Sequence, residues 1–97
     1  MAVDIEAAQL LLYQAAWLID QGRTSKHKCN LAKYLGSEVG FRCAERAALV
    51  YGAYSYSGDF PVARYLRDCL VNIVGEGHSS ILKIVIANHV LGRKLQN

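Results

Sequence analysis

The residues best suited to chemistry in this 97-residue chain are a carboxylate and the polar side chains that follow it at a break in apolar sequence. Glu76 stands between Gly75 and Gly77, where the backbone is exposed and can adopt conformations that other residues resist. A carboxylate placed in this way could act as a base that removes a proton from carbon. It could equally stabilise the start of the next helix, where the helix dipole favours a negative charge. The sequence pattern alone leaves both interpretations open.

Three polar residues directly after Gly77 offer a second candidate group. His78, Ser79 and Ser80 open the next apolar segment and could direct their donors at an anion. N-capping by Ser79 explains the serines equally well. The other two histidines do not form a site by spacing: we expect His27 to be solvated and His89 to pack on the last helix.

Charge and cysteine content exclude several classes of function. The net charge is +3, and no basic run exceeds the three residues 26–28, so we expect no nucleic-acid partner. The three cysteines, Cys29, Cys43 and Cys69, include no C-x-x-C pair, and we predict no metal site. Their odd number favours a reducing compartment.

The sequence contains no candidate targeting or membrane-spanning segment. The first six residues include two acids, Asp4 and Glu6, where a secretory signal would carry Lys or Arg. No apolar run approaches the roughly 18 residues that a membrane span needs. We therefore expect a soluble, intracellular protein.

Apolar periodicity predicts a single all-α domain over residues 1–97. Apolar residues recur every three or four positions, and the predicted helices cover residues 4–21, 25–50, 62–68 and 79–91. Gly22 and Gly92 fit helix C-termini, Thr24 or Ser25 is the expected N-cap of the second helix, and Pro61 fits the first position of the third. Residues 52–60 are expected to form a loop, and residues 69–74 are ambiguous between helix and extended chain. The predicted architecture is an up-and-down four-helix bundle.

A series of short sequence segments resembles the pattern of a known family. They are Tyr13-Gln14-Ala15-Ala16-Trp17, Asp20-Gln21-Gly22, Ala32-Lys33, Gly52, Phe60-Pro61-Val62, Tyr65-Leu66-Arg67-Asp68 and Glu76-Gly77. In order and spacing, over nearly the whole chain, this series resembles the C-terminal helical domain of the flavin-dependent acyl-CoA dehydrogenases. Such enzymes also contain an N-terminal helical domain and a middle β domain, which this chain lacks, so it resembles a fragment.

The resemblance implies α,β-dehydrogenation of an acyl thioester. Glu76 falls on the Glu of the family motif Tyr-Glu-Gly-Thr, which removes the α proton while the β hydrogen leaves as hydride to FAD. The backbone N–H of that Glu helps to polarise the thioester carbonyl, in the manner of an oxyanion hole. Gly77 would border the substrate. With this resemblance, the catalytic interpretation of Glu76 becomes the preferred one.

The resemblance also implies flavin contacts, with departures from the family pattern. The family's Gln-Ile-x-Gly-Gly segment falls on residues 49–53, where Leu49 replaces the Gln, Gly52 is kept and Ala53 replaces the second Gly. Near the candidate base, Gly75 replaces a Tyr and His78 replaces a Thr. The implied cofactor-binding residues are Leu49, Gly52, Ala53, His78 and Ser80. We expect the chain alone to be inactive and not to retain FAD.

The implied partners are an acyl-CoA or other acyl thioester and a second copy of the chain in a dimer or tetramer. Electron-transfer flavoprotein is a candidate redox partner, and the expected location is the bacterial cytoplasm, or the mitochondrial matrix in a eukaryote. Two alternatives remain. The chain could be a non-catalytic helical module for subunit association, or its parent enzyme could act on acyl-carrier-protein substrates.

Overall fold

The computed structural model describes residues 1–23 and 25–93 and contains four α-helices. They are α1 (Ala2–Asp20), α2 (Lys26–Tyr51), α3 (Val62–Val74) and α4 (Ser79–Val90), and a short 3₁₀ helix (Gly52–Tyr56) follows α2. Within the described residues there is no β-strand. The prediction of an all-α fold with four helices is therefore confirmed.

Local signals in the sequence account for most helix ends. The Ser25 side chain caps α2 by accepting a hydrogen bond from the Lys28 backbone N–H at 3.3 Å. The alternative cap, Thr24, and the last four residues, 94–97, lie outside the described part of the chain. Gly22 adopts φ +69° after α1, and the Arg23 N–H donates to the Leu18 carbonyl at 2.9 Å, which closes the helix with a Schellman motif.

Two segments differ from the sequence-based expectation. Residues 69–74, which were ambiguous, continue α3 to Val74. The expected loop begins with the 3₁₀ helix, in which the Ser55 hydroxyl donates to the Gly52 carbonyl at 2.7 Å. Further along the loop, the Phe60 ring packs edge-on against Tyr54 and Tyr51, at centroid distances of 5.4 and 5.8 Å. These aromatic contacts fold the loop back onto the end of α2.

Helix α2 is the central element of the fold. It packs against α1, α3 and α4, so each of the other helices covers part of its surface. Few apolar residues are buried, and all but Leu82 have small side chains. They are Ala15, Ala32, Val39, Val62 and Leu82. The result is an elongated domain of 48 × 29 × 19 Å with a thin core.

Among the described residues, no single helix is both long and apolar enough to cross a membrane. The pair formed by α3 and α4 meets the length and composition criteria only together, and the two helices are bent by 44° at the break between them.

Candidate functional site

The candidate site lies at the break between α3 and α4, where the chain changes direction over residues 75–78. Gly75 is extended, with φ −80° and ψ +145°, and its N–H donates to the Val71 carbonyl at 2.6 Å. A Cβ at Gly75 would lie 2.8 Å from that carbonyl oxygen. Lack of space, and not an unusual dihedral angle, therefore explains a glycine at this position.

Glu76 adopts a left-handed backbone conformation. Its φ of +52° is the one positive value found at a non-glycine residue in the described chain. This conformation is unfavourable for a residue with a Cβ, and such strain concentrates at functional sites. The residue is exposed, and within residues 1–23 and 25–93 its carboxylate accepts no hydrogen bond and forms no ion pair. Within the described residues, the fold therefore makes no use of this carboxylate in a hydrogen bond or an ion pair.

The backbone N–H of Glu76 is equally free of partners in the described chain. The neighbouring Gly75 N–H is bonded to Val71, whereas no carbonyl accepts from Glu76. Gly77 follows with φ +107°, and a Cβ there would touch the buried Leu82 side chain at 3.4 Å. The site therefore presents an unpaired N–H donor and an unpaired carboxylate from one residue.

His78 supplies the hydrogen-bonding cap of α4. Its ring Nδ1 accepts from the Ser80 backbone N–H at 3.1 Å. An accepting Nδ1 carries no proton, so Nε2 is the ring's donor. The expectation that Ser79 forms this cap is wrong, because Ser79 is buried and its hydroxyl has no hydrogen-bond partner among the described residues.

Lys33 joins the candidate site from α2. Its Nζ donates to the Asn72 backbone carbonyl in the last turn of α3 and to the Ser37 hydroxyl, the latter at 2.8 Å. Together with Val71, Asn72, Gly75 and Glu76 it lines an open cavity of about 320 Å³. Sequence reasoning gave Lys33 no role of its own, because its contact with Asn72 joins residues 39 positions apart.

The predicted flavin-binding residues lie on three different elements. Leu49 is at the end of α2, 76% exposed, and Gly52 and Ala53 begin the 3₁₀ helix. Gly52 has φ +58°, and no atom lies within 4 Å of where its Cβ would be, so the backbone is open to a ligand. His78 and Ser80 are at the start of α4 and are exposed. Gly52 thus offers an open backbone and His78 and Ser80 offer polar side chains on a different element, whereas the Leu49 side chain cannot hydrogen-bond.

The remaining histidines form a stacked pair away from this site. His27 and His89 have ring centroids 3.7 Å apart and an interplanar angle of 15°. The expectation of a solvated His27 is wrong, since its Nδ1 is buried and has no hydrogen-bond partner among the described residues. Burial, followed by the proximity of His89 and Lys28, lowers the pKa of His27 below its usual value. No group of three or more His, Cys, Asp or Glu residues suited to a metal ion occurs in the part of the chain that the structure describes.

Comparison with known proteins places this chain in a family. Residues 1–91 match the family model described as acyl-CoA dehydrogenase, C-terminal domain. The chain therefore belongs to the acyl-CoA dehydrogenase family.

Individual relatives agree with that assignment. The chain is 42% identical to glutaryl-CoA dehydrogenase of Desulfococcus multivorans, with all of this chain and 25% of the relative covered. It is 35% identical to the caffeyl-CoA reductase-Etf complex subunit CarC of Acetobacterium woodii over 94% of this chain and 24% of that protein. The solved structure of a glutaryl-coenzyme A dehydrogenase in complex with glutaryl-CoA superposes with a TM-score of 0.93 at 42% identity, covering 97% of this chain and 24% of that chain. The chain thus spans about a quarter of the length of these relatives.

Proposed function

We propose that residues 1–97 are the C-terminal domain of a longer FAD-dependent acyl-CoA dehydrogenase, in which Glu76 is the catalytic base. The observation that carries the proposal is the state of Glu76, a strained residue whose carboxylate and backbone N–H both lack partners within residues 1–23 and 25–93. A residue with only a structural role would be expected to use at least one of these groups within the fold. Here the capping role belongs to His78.

The two free groups of Glu76 suit proton removal next to a thioester. The backbone N–H can donate to the thioester carbonyl oxygen, which acidifies the α carbon and stabilises the developing enolate. The carboxylate then takes the α proton, and the electron pair of that C–H bond becomes the new α,β double bond. FAD, when bound, would supply the acceptor for the β hydrogen and its two electrons, and the thioester would leave as the enoyl product.

The FAD contacts proposed for this chain are the backbone at Gly52 and Ala53 and the side chains of His78 and Ser80, with Leu49 as an apolar neighbour. His78 keeps Nε2 free as a donor because Nδ1 is used for the cap. We propose that these contacts add to those made by the domains outside this chain. The 97 residues alone are therefore expected neither to retain FAD nor to turn over substrate.

The relatives indicate the partners. All three of these matching proteins are named for an acyl-CoA, and the name of one also refers to a complex with Etf, an electron-transfer flavoprotein. An acyl-CoA thioester is accordingly the proposed substrate, and electron-transfer flavoprotein the proposed acceptor of electrons. Subunit association without catalysis is a second candidate function, favoured by the large exposed apolar surface of α1 and α4.

Replacement of the base tests the proposal in the full-length flavin-loaded enzyme. Glu76→Gln keeps the side-chain shape and the backbone N–H but cannot accept the proton. We expect the rate of flavin reduction by saturating acyl-CoA to fall about 10²–10⁴-fold, as for loss of a general base, while substrate affinity changes little. Stopped-flow absorbance under anaerobic conditions measures both quantities.

The matched control is Glu45→Gln, an exposed glutamate on α2 that should leave the rate unchanged. Flavin reduction at the parental rate in Glu76→Gln would contradict the assignment of the base and would favour the association-only function.

A further inference from the structure

The side chain of Lys33 occupies a hydrogen-bonding position that belongs, in a continuous helix, to the backbone of Glu76. Its Nζ donates to the carbonyl of Asn72 in the last turn of α3. In an α-helix the carbonyl of residue 72 would accept from the N–H of residue 76, four positions later. That N–H is unpaired here, because the extended Gly75 turns the chain out of the helix. Lys33 thus takes the place of the backbone donor, the Glu76 N–H, that would bond to this carbonyl if α3 continued.

This replacement is favourable for two reasons. The last carbonyls of a helix lack intrahelical partners, and a cation is stabilised there by the negative end of the helix dipole. The ammonium group is also held from the other side, since it donates to the hydroxyl of Ser37, which is buried one turn further along α2. Lys33 therefore ties the end of α3 to α2 through an ordered pair of contacts.

The alternative to this arrangement is a longer α3. If the Asn72 carbonyl lost its lysine partner, the backbone donor that a continued helix would supply to it is the Glu76 N–H. Forming that bond would move Glu76 from its left-handed conformation into the right-handed helical region, which is the intrinsically preferred one. The carboxylate would turn with the backbone, and the N–H would no longer be free for a thioester carbonyl.

We propose that Lys33 is a positioning residue for Glu76: by satisfying the Asn72 carbonyl it keeps the Glu76 N–H and carboxylate free and aimed at the reacting carbon. The proposal rests on the proposed function of Glu76 as the base. Lys33 lines the same cavity as Glu76 but forms no ion pair with it among the described residues. Its effect on the reaction therefore passes through the backbone of the loop.

The test uses the full-length flavin-loaded enzyme with Lys33→Met, which keeps the length and apolar stem of the side chain but removes the donor. Misplacement of a reacting group by about 1 Å can cost about 100-fold in rate, so we expect flavin reduction at saturating acyl-CoA to fall by about 10–100-fold. Substrate affinity should change less than about threefold, because affinity depends mainly on contacts away from the reacting carbon. Lys33→Arg, which retains a cationic donor, should recover most of the rate.

Hydrogen exchange of the same holoenzyme separates positioning from a general loss of stability. In Lys33→Met the Glu76 N–H gains the Asn72 carbonyl as its partner, so exchange at residue 76 should become slower than in the parent. A lysine that only stabilises the fold would give the opposite result, with faster exchange across the end of α3 and an unchanged rate per bound flavin. Either of those results would overturn the proposal.

Two controls complete the design. Lys26→Met removes an exposed lysine elsewhere on α2, and its flavin should be reduced near the parental rate. In the Glu76→Gln background, Lys33→Met should cause little further loss, since both changes disable the same base. If Glu76→Gln reduces its flavin at the parental rate, the proposed function fails. If Glu76→Gln is slow but Lys33→Met keeps the parental rate, Glu76 remains the base and the positioning role of Lys33 fails.

Discussion

At the scale of single residues, the site depends on one strained position, Glu76. The left-handed region is open to glycine, and a glycine at 76 would relieve the strain. A functional carboxylate at this position therefore carries a conformational cost that the rest of the domain must offset. The anchors on either side are the Lys33 contact at the end of α3 and the His78 cap at the start of α4.

The cost of this conformation can be measured by comparing two substitutions that both remove the carboxylate. We expect Glu76→Gly to have a higher free energy of unfolding than Glu76→Ala by about 1 kcal/mol, because alanine keeps the Cβ that makes the left-handed region unfavourable. Denaturant unfolding of the flavin-free full-length protein gives the difference. Equal stabilities, or a more stable alanine variant, would show that position 76 is not left-handed in the folded protein.

The sequence made Glu76 and Gly77 visible because the two glycines flanking the carboxylate are a local signal. The resemblance to a known family then supplied the chemistry. Lys33 was not predicted to act on this site, since its contact to Asn72 joins residues 39 positions apart and depends on how α3 packs on α2. Local rules contain no information on such a pairing.

At the scale of elements, the start of α4 shows which polar side chain stabilises the helix. Three candidates follow Gly77 in the sequence, and His78 takes the role through its ring Nδ1. The neighbouring Ser79 hydroxyl is buried and unpaired in the described chain, so it adds a desolvation cost in place of a cap. The two side chains should therefore respond to substitution in opposite directions.

We expect His78→Ala to lower the free energy of unfolding by about 1 kcal/mol, the usual cost of losing an N-cap. Ser79→Ala should leave stability unchanged or raise it, because it removes a buried hydroxyl that has no partner. Thermal unfolding of both flavin-free variants beside the parent measures the contrast. A larger loss of thermal stability for Ser79→Ala than for His78→Ala would show that Ser79, and not His78, caps α4.

The histidine stack between α2 and α4 predicts a dependence of stability on pH. The pKa of His27 is lowered in the fold, mainly by burial, so the unfolded chain binds a proton more readily. The contribution of neutral His27 is therefore fully present above its ordinary pKa of 6.5 and is lost as the pH falls from 6.5 through the lowered value. His27→Gln should make the free energy of unfolding less sensitive to pH in this window, as measured by denaturant titrations on both sides of 6.5. An unchanged pH dependence would contradict this role of His27.

Helix ends were the most predictable feature at this scale. Ser25, Gly22 and Gly92 act through bonds to residues within one or two turns, which the sequence displays directly. Residues 69–74 were left ambiguous because the apolar run offers no periodicity, and packing on α2 decides in favour of helix. His27 was misplaced for a similar reason, since its stacking partner lies on α4.

At the scale of the whole molecule, the domain is too extended for its own core to bury all of its large apolar side chains. Its radius of gyration is 16.0 Å, against about 13 Å expected for a compact domain of this size. Large apolar side chains remain exposed along α1 and α4, among them Leu10, Trp17, Ile81 and Ile84. An exposed apolar surface of this extent marks a region that packs against another domain or chain.

This surface leads to a prediction for the isolated 97-residue chain, which we expect to self-associate. No large side chain is fully buried in the described residues, so a monomer would gain little from its core, whereas association covers the apolar faces of α1 and α4. Sedimentation velocity over a range of concentrations should show species larger than the monomer, and thermal stability should rise with protein concentration. Replacing Trp17 and Ile84 together by Lys should shift the distribution toward monomer, while the control Lys26→Met should not. A sharp monomer peak at every concentration, with thermal stability independent of concentration, would show that the thin core suffices and that the exposed faces are not association surfaces.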